Sequence, residues 1–565
     1  MPRMTGAKFF ADSLQAYGIS HVFVAPAVAN LALAEAAAIG ITSIVPHGEK
    51  SAAYMADGYA RASNRPAVCL AQSVGAANLA AGLQDAYLAL SPVVALTGRK
   101  TGEEQYRNAY QEVAHAGLFD PVTKFSGLVE NLEQFPRMLR QAFREATSGA
   151  TAPAHLDLQG IFGNVVLESE ADLEVMVEEA FTRRPSFRPE ASPDSITAAL
   201  KALATDERPV IVAGGGVVAS QAQAEVVELA EKLSIPVATS INAKGTIADN
   251  HRLAVGICGT YSRECANRAV YEADMVLFIG SHTGSQVTNE WTIPAAGTRV
   301  IQIDIDPTEI GRSYPAEVGV NGDAKATLRR MIESSDRESG AAGGGRADWL
   351  ARVETLVGEW QEKVKPRATS DAMPMIPDRL CTEVTAALDG NSVLVADTGH
   401  AGIWTATMFD LIHPGQQYLR CAGSLGWGLP ASIGAQLAVP DKNVICFTGD
   451  GGIWYHLSEI ETAVRCNVPA TIVVNNNSGY IQDRGGDDIA YAKVPGTDSS
   501  ALWRFNDTNF AALAEDMGAL GIRVEKPGDV RGAIEQAVAS GRPAVVDVVT
   551  DPEDGFAPER WNRPA

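Results

Sequence analysis

Short Val- and Ile-rich runs recur along the whole chain, most of them ending at a Gly, Asp, Asn or Thr, and they alternate with stretches of helical spacing. They include HVFVAP (21–26), PAVCLAQ (66–72), PVVALTG (92–98), PVIVAGG (209–215), MVLFIG (275–280), VIQIDID (300–306), SVLVADTG (392–399), NVICFTGD (443–450), ATIVVNN (470–476) and PAVVDVVT (543–550). Runs this short and apolar read as strands buried on both faces, and their alternation with helices builds parallel sheets covered on both sides. Two stretches divide the chain. TRRPSFRPEASPD (182–194) is a proline-punctuated polar connector, and SSDRESGAAGGGRAD (334–348) is a low-complexity Gly/Ser/Ala linker. The expected architecture is α/β: three doubly wound parallel-sheet domains over residues 1–181, 195–333 and 365–550, with a tail over 551–565. The first and third domains both read as six-stranded units, which suggests a distant internal relationship.

Composition narrows the partners. The 565 residues carry a formal net charge of −22, so the surface repels phosphate backbones and anionic lipid; neither nucleic acid nor membrane is an expected partner. The seven cysteines, at 69, 258, 265, 381, 421, 446 and 466, form no CxxC pair and no Cys/His cluster, so neither a disulfide framework nor a zinc site is indicated. The opening stretch MPRMTGAKFFADSLQAYG reads as a charged amphipathic helix without the apolar centre of a signal peptide, and no run approaches the ~18 apolar residues of a membrane span. The expected compartment is the cytoplasm.

The chemistry begins at TGDGGIWYHL (448–457). Asp450 sits on a glycine turn between the strand-like NVICF and a helical stretch. Ligands of doubly wound sheets bind beyond the carboxyl ends of the strands. The next strand, ATIVV, ends at Asn475, Asn476 and Asn477, one βαβ crossover later. Asp and Asn offer hard oxygen ligands suited to Mg²⁺ or Ca²⁺, but two are too few for a full shell, which phosphate oxygens usually complete. Gly449, Gly451 and Gly452 let backbone approach such a phosphate.

Asn477 lies 27 positions after Asp450, and this spacing resembles the thiamine-diphosphate signature. HGEKSAAYMADGYARAS (47–63), GAANLAAGLQDAY (75–87), NAYQE (108–112) and SLGWGLPASIGA (424–435) follow in the family's order. The chain resembles the superfamily that contains acetohydroxyacid synthase, 2-hydroxyacyl-CoA lyase and oxalyl-CoA decarboxylase. The resemblance implies thiamine diphosphate and Mg²⁺ as cofactors and a homodimer or homotetramer, because the first domain binds the aminopyrimidine and the third the diphosphate across a dimer interface. Glu49 matches the catalytic glutamate that hydrogen-bonds the pyrimidine and promotes formation of a C2 ylid. Gly423 and Leu425 match the positions that hold the aminopyrimidine and bend the cofactor. Gly399 and His400 match a diphosphate-contacting turn, with Gly451 and Gly452 beside it. Asp450, Asn477 and the Gly479 carbonyl match the metal ligands.

Departures from the family bear on the substrate. Acetohydroxyacid synthases carry two arginines where GSHTGSQVT (280–288) places His282 and Gln286, and Gln does not replace a bidentate guanidinium. The substrate-contacting tryptophan has Gly486 in its place. APAVAN (25–30) leaves an apolar pocket side at Ala25 and Val28; Gln111 and Tyr480 are the other candidate pocket residues. VTKFS (122–126) is similar to a stretch of 2-hydroxyacyl-CoA lyases. The resulting expectation is a lyase acting on a 2-hydroxyacyl substrate, with a CoA thioester as the small-molecule partner. The alternative is an acetolactate-synthase-type carboligase acting on pyruvate. A non-catalytic scaffold is the third reading, which the joint presence of Glu49, Asp450 and Asn477 opposes. In the central domain, the GGG turn at 214–216 suits FAD or ADP. The tail DGFAPERWNRPA (554–565), with Arg560, Trp561 and Arg563, is expected to act as a lid.

Overall fold

A computed structural model describes residues 2–26, 28–338, 346–555, 557, 558 and 561. Three six-stranded sheets, parallel throughout, form its frame. In the amino-terminal sheet the order across the sheet is Thr42–Ile44, His21–Val24, Ala67–Gln72, Val93–Arg99, Ala154–Gln159 and Phe125–Val129. The carboxyl-terminal sheet runs Gln417–Arg420, Ser392–Ala396, Asn443–Gly449, Thr471–Asn476, Ala544–Val549 and Leu520–Val524. Numbered along the chain, both have the order 2-1-3-4-6-5. The central sheet, from Ala254–Ile257 to Val318–Asn321, has the order 3-2-1-4-5-6, the doubly wound dinucleotide-fold order. Its inner strands, such as Pro209–Ala213 and Met275–Ile279, are buried at every residue, which is why they read as continuous apolar runs. A short antiparallel ribbon joins Arg3–Thr5 to Glu170–Asp172.

The amino- and carboxyl-terminal units dock through two helices. Glu49–Ser63 lies against Gly428–Ala438, and their closest approach is at Gly58 and Gly434. A Cβ on Gly58 would run into the Ala431 carbonyl, and one on Gly434 into that of Met55, so the backbones touch only because both positions lack side chains. The linker read over 334–348 differs from what is observed at both ends. Residues 334–338 continue the helix Ala324–Glu338, and the buried Arg346 donates to the Leu203 and Leu233 carbonyls. The helix Ala347–Ala368 then packs on the central unit, with Trp349 Nε1 bonded to the Pro209 carbonyl at 3.0 Å. Among the described residues, no helix is long and apolar enough to cross a membrane.

Candidate functional site

Gly449 pairs with Asn475 in the parallel ladder, so Asp450 and Asn477 leave the carboxyl ends of neighbouring strands together. Both are buried. Asp450 Oδ1 accepts the Gly451 N–H at 2.9 Å and Oδ2 accepts the Gly479 N–H at 2.8 Å. It makes no ion pair among the described residues, and burial pushes its carboxyl up to about 7. Among those residues no group of three or more His, Cys, Asp and Glu could hold a metal. A lone buried carboxylate flanked by Asn477 and the Gly479 backbone fits a cation that brings part of its own oxygen shell. A Cβ on Gly451 would run into the Tyr480 ring, so the turn stays bare, as a diphosphate requires. The residues therefore fit thiamine diphosphate with Mg²⁺.

Gly399, Leu425 and Gln482 close the same site. A Cβ on Gly399 would lie 3.4 Å from Gln482 Oε1 and 3.8 Å from Leu425 Cδ2. His400 begins the helix His400–Thr407, and burial holds its imidazole down at about 4, so it is neutral near pH 7. Tyr480 packs on the Gly451 turn; burial and the neighbouring Tyr455 raise its hydroxyl to about 12.

Three buried aspartates that sequence reasoning missed shape the Gly423–Leu425 loop. Asp397 accepts the N–H groups of Thr398, Gly426 and Gly428 at 2.7, 3.1 and 3.3 Å and the Thr448 hydroxyl at 3.0 Å. From the amino-terminal unit, Asp85 accepts the Ala422 and Ser424 N–H groups at 2.6 and 3.1 Å. Asp57 accepts Trp427 Nε1 at 2.9 Å and Arg61 Nη2 at 2.8 Å, and the Arg61 guanidinium lies 4.4 Å from the Trp427 ring. The available signal was an acid at helical spacing in an otherwise apolar stretch, as in GLQDAY.

Glu49 opens its helix, half-buried. Oε2 accepts Asn78 Nδ2 at 3.1 Å, and a Cβ on Gly75 would come within 2.5 Å of Oε1. Among the described residues its carboxylate takes no hydrogen bond from the carboxyl-terminal unit, although neighbouring residues do meet it: Ser51 Oγ lies 2.9 Å from His456 Nδ1, and the His47 N–H donates to Glu459 at 3.1 Å. Beside Glu49, Lys50 Nζ lies 5.8 Å from the Tyr455 ring of the carboxyl-terminal unit. Ala25 and Val28 are buried, and Ala29 after them is left-handed, at φ +53°. Gln111, at φ +61°, accepts the Ser73 hydroxyl on its carbonyl.

Behind that turn lies a buried polar chain. The Ser126 hydroxyl lies 3.0 Å from His155 Nδ1, His155 Nε2 lies 2.7 Å from Thr97 Oγ1, and Thr97 donates to Asp157 at 2.8 Å. Asp157 also meets His115 Nδ1 at 3.0 Å, and His115 Nε2 reaches the Ser73 carbonyl at 2.9 Å. The chain anchors the turn that carries Gly75 beneath Glu49.

Comparison with known proteins finds three family models matched in order along the chain. Residues 4–118 match the thiamine pyrophosphate enzyme N-terminal TPP-binding domain, 196–331 its central domain, and 397–548 its C-terminal TPP-binding domain. The chain is 33% identical to a probable acetolactate synthase large subunit of Methanocaldococcus jannaschii, covering 98% of this chain and 93% of the relative. It is 31% identical to the corresponding protein of Methanococcus aeolicus, over 98% and 93%. Identity to the acetolactate synthase isozyme 1 large subunit of Escherichia coli K12 is 30%, over 98% and 96%. With all three domains matched in order and relatives similar along nearly their full length, the chain belongs to the thiamine-pyrophosphate-dependent enzymes.

Proposed function

We propose that this enzyme is an acetolactate-synthase-type carboligase that acts on pyruvate with thiamine diphosphate and Mg²⁺. The observation that carries the reading is the likeness, over 98% of the chain, to proteins named acetolactate synthase. The 2-hydroxyacyl-CoA lyase reading draws no support from those relatives, and no residue of the site calls for a CoA thioester. Thiamine diphosphate supplies a nucleophilic carbon and an electron sink when bound. Asp450, Asn477 and Gly479 would hold the cation, and the bare turn at Gly451 would admit the diphosphate. Asp85 and Asp397 would orient the Gly423–Leu425 loop against the aminopyrimidine, and Glu49, set by Gly75 and Asn78, would share a proton with it. A homodimer or homotetramer with sites between subunits, as the family resemblance implies, is part of this reading. So are a cytoplasmic location and the domain limits 1–181, 195–333 and 365–550.

A cavity of about 470 Å³ between the units is lined by Gly215, Gly216 and Asp304 of the central unit. Its size and glycine turn suit the ADP moiety of a nucleotide such as FAD. The test is direct: purified protein with thiamine diphosphate and Mg²⁺ receives pyruvate or, separately, 2-hydroxyacyl-CoA thioesters, and products are identified by mass spectrometry. Acetolactate with release of CO₂ is expected. Cleavage of the thioester without acetolactate formation would reverse the choice.

A further inference from the structure

His456 follows Asp450 by six residues, and its imidazole meets the amino-terminal unit at the foot of the Glu49 helix. Nδ1 lies 2.9 Å from the Ser51 hydroxyl, in the first turn of that helix. The ring stands edge-on to Tyr54, one turn further along, with centroids 5.6 Å apart. A Cβ on Gly426 would lie 2.9 Å from His456 Cδ2, so the ring is braced from behind by the backbone next to Leu425. Glu459, on the same carboxyl-terminal segment, also reaches Ser51, and it accepts the His47 N–H at 3.1 Å and the Thr462 hydroxyl at 2.7 Å. The carboxyl-terminal unit thus grips the start of the Glu49 helix on both sides of Glu49, at His47 and at Ser51.

Packing alone does not call for an imidazole here. Nε2 is buried and has no hydrogen-bond partner among the described residues. Burial, with the Lys50 charge beside it, holds the ring down at about 4, so it is neutral near pH 7 and gains no ion pair. A leucine would fill much of the same space without an unbonded nitrogen, and local costs of this kind gather where function requires them. What the imidazole has and a leucine lacks is the Nδ1 bond to Ser51, two residues from Glu49. We propose that His456 is a positioning residue for cofactor activation: braced on Gly426, it fixes the first turn of the Glu49 helix through Ser51, and with it the carboxylate that shares a proton with the aminopyrimidine. This role rests on the reading of Glu49 given under the proposed function.

The test is the rate of thiazolium C2 proton exchange, followed by NMR in holoenzyme saturated with thiamine diphosphate and Mg²⁺, together with the melting temperature. His456→Leu is expected to slow exchange by about ten-fold or more without lowering Tm. His456→Asn, whose amide can replace Nδ1 toward Ser51, should recover most of the rate. Wild-type exchange in His456→Leu, or an equal loss in the Leu and Asn variants, would overturn the role. If His456→Leu does not fold, Ser51→Ala decides: it removes the hydroxyl that His456 holds and must slow exchange to a similar degree, and a wild-type rate overturns the role. Glu49→Gln is the control. Slow exchange there with wild-type exchange in His456→Leu would remove the positioning role and keep the reading of Glu49; wild-type exchange in Glu49→Gln would remove both.

Discussion

Asp85 accepts the backbone N–H of Ala422 at 2.6 Å across 337 residues of sequence. Its second oxygen takes the N–H of Ser424, so one carboxylate holds both flanks of Gly423. An amide offers a single acceptor and would turn an N–H₂ toward one of these donors. Asp85→Asn is therefore expected to lose about 1.5–3 kcal/mol of loop anchoring. In calorimetric titration with Mg²⁺ present, thiamine diphosphate should bind roughly ten-fold more weakly. Wild-type affinity would mean that Asp397 suffices to hold the loop.

Gly75 supports Glu49 through the space its missing side chain leaves. Gly75→Ala places a Cβ 2.5 Å from Glu49 Oε1, and the carboxylate, at the end of a flexible side chain, must move. Both Gly75→Ala and Glu49→Gln should keep the fold and bind thiamine diphosphate, yet lose most turnover. NMR should show slow exchange of the thiazolium C2 proton in both variants. Fast exchange in Glu49→Gln would remove the proton-sharing role.

The buried Asp450 carboxyl, raised to about 7, ties cofactor binding to pH. An acid whose pKa is higher folded than unfolded destabilises the apo fold as pH rises: the cost is absent below about 4, grows through the interval and is complete above about 7. Asp450→Asn removes that cost. The apo variant should melt higher than the wild type at pH 8 and no higher at pH 4, while losing Mg²⁺-dependent cofactor binding. In the wild type, Mg²⁺-dependent affinity should fall about ten-fold per unit below pH 7. A flat affinity between pH 5.5 and 7 would show that Asp450 stays ionised in the fold.

Thr97 sits at the centre of the buried chain that ends on Ser73. Thr97→Val keeps the shape but leaves His155 Nε2 without its partner and Asp157 Oδ1 with His115 alone, at a cost of about 2 kcal/mol. Denaturant unfolding should show this loss, and turnover should fall with it because the Gly75 turn loosens. A stable variant with reduced turnover would separate positioning from stability.

The tail lies partly outside the described residues: Arg560 and Arg563, on which the lid expectation rests, are among those not described. Its described part is tied down. Asp554 pairs with Arg367 at 3.0 Å, and the Trp561 ring meets that of Tyr271 at 5.5 Å on the central unit. A Cβ on Gly555 would lie 3.3 Å from Asn477 Nδ2, so the tail passes close to Asn477. Deleting residues 554–565 should lower kcat/KM at least ten-fold and Tm by a few degrees. Unchanged kinetics would make the tail a strap on the central unit and nothing more.

The sequence by itself determined the cofactor chemistry and the fold class. Asp450 and Asn477 are held at a fixed spacing because one βαβ crossover separates adjacent strand ends, and such local geometry is written in consecutive residues. Inner strands such as Pro209–Ala213 and Met275–Ile279 were legible for the same reason: burial on both faces demands continuous apolar runs. The edge strands Thr42–Ile44 and Gln417–Arg420 were not, because they are three and four residues long and mix polar with apolar side chains. Tertiary structure alone decided how the units meet. Asp85, Asp57 and Arg61 read as ordinary helix charges until their helices dock against the Gly423 loop and bury them. Gln286 reads as the loss of a cation until Arg420 reaches it from another unit. A buried charge takes its role from the partner it finds, and partners hundreds of residues apart are chosen by the packing of whole domains, not by the residues on either side.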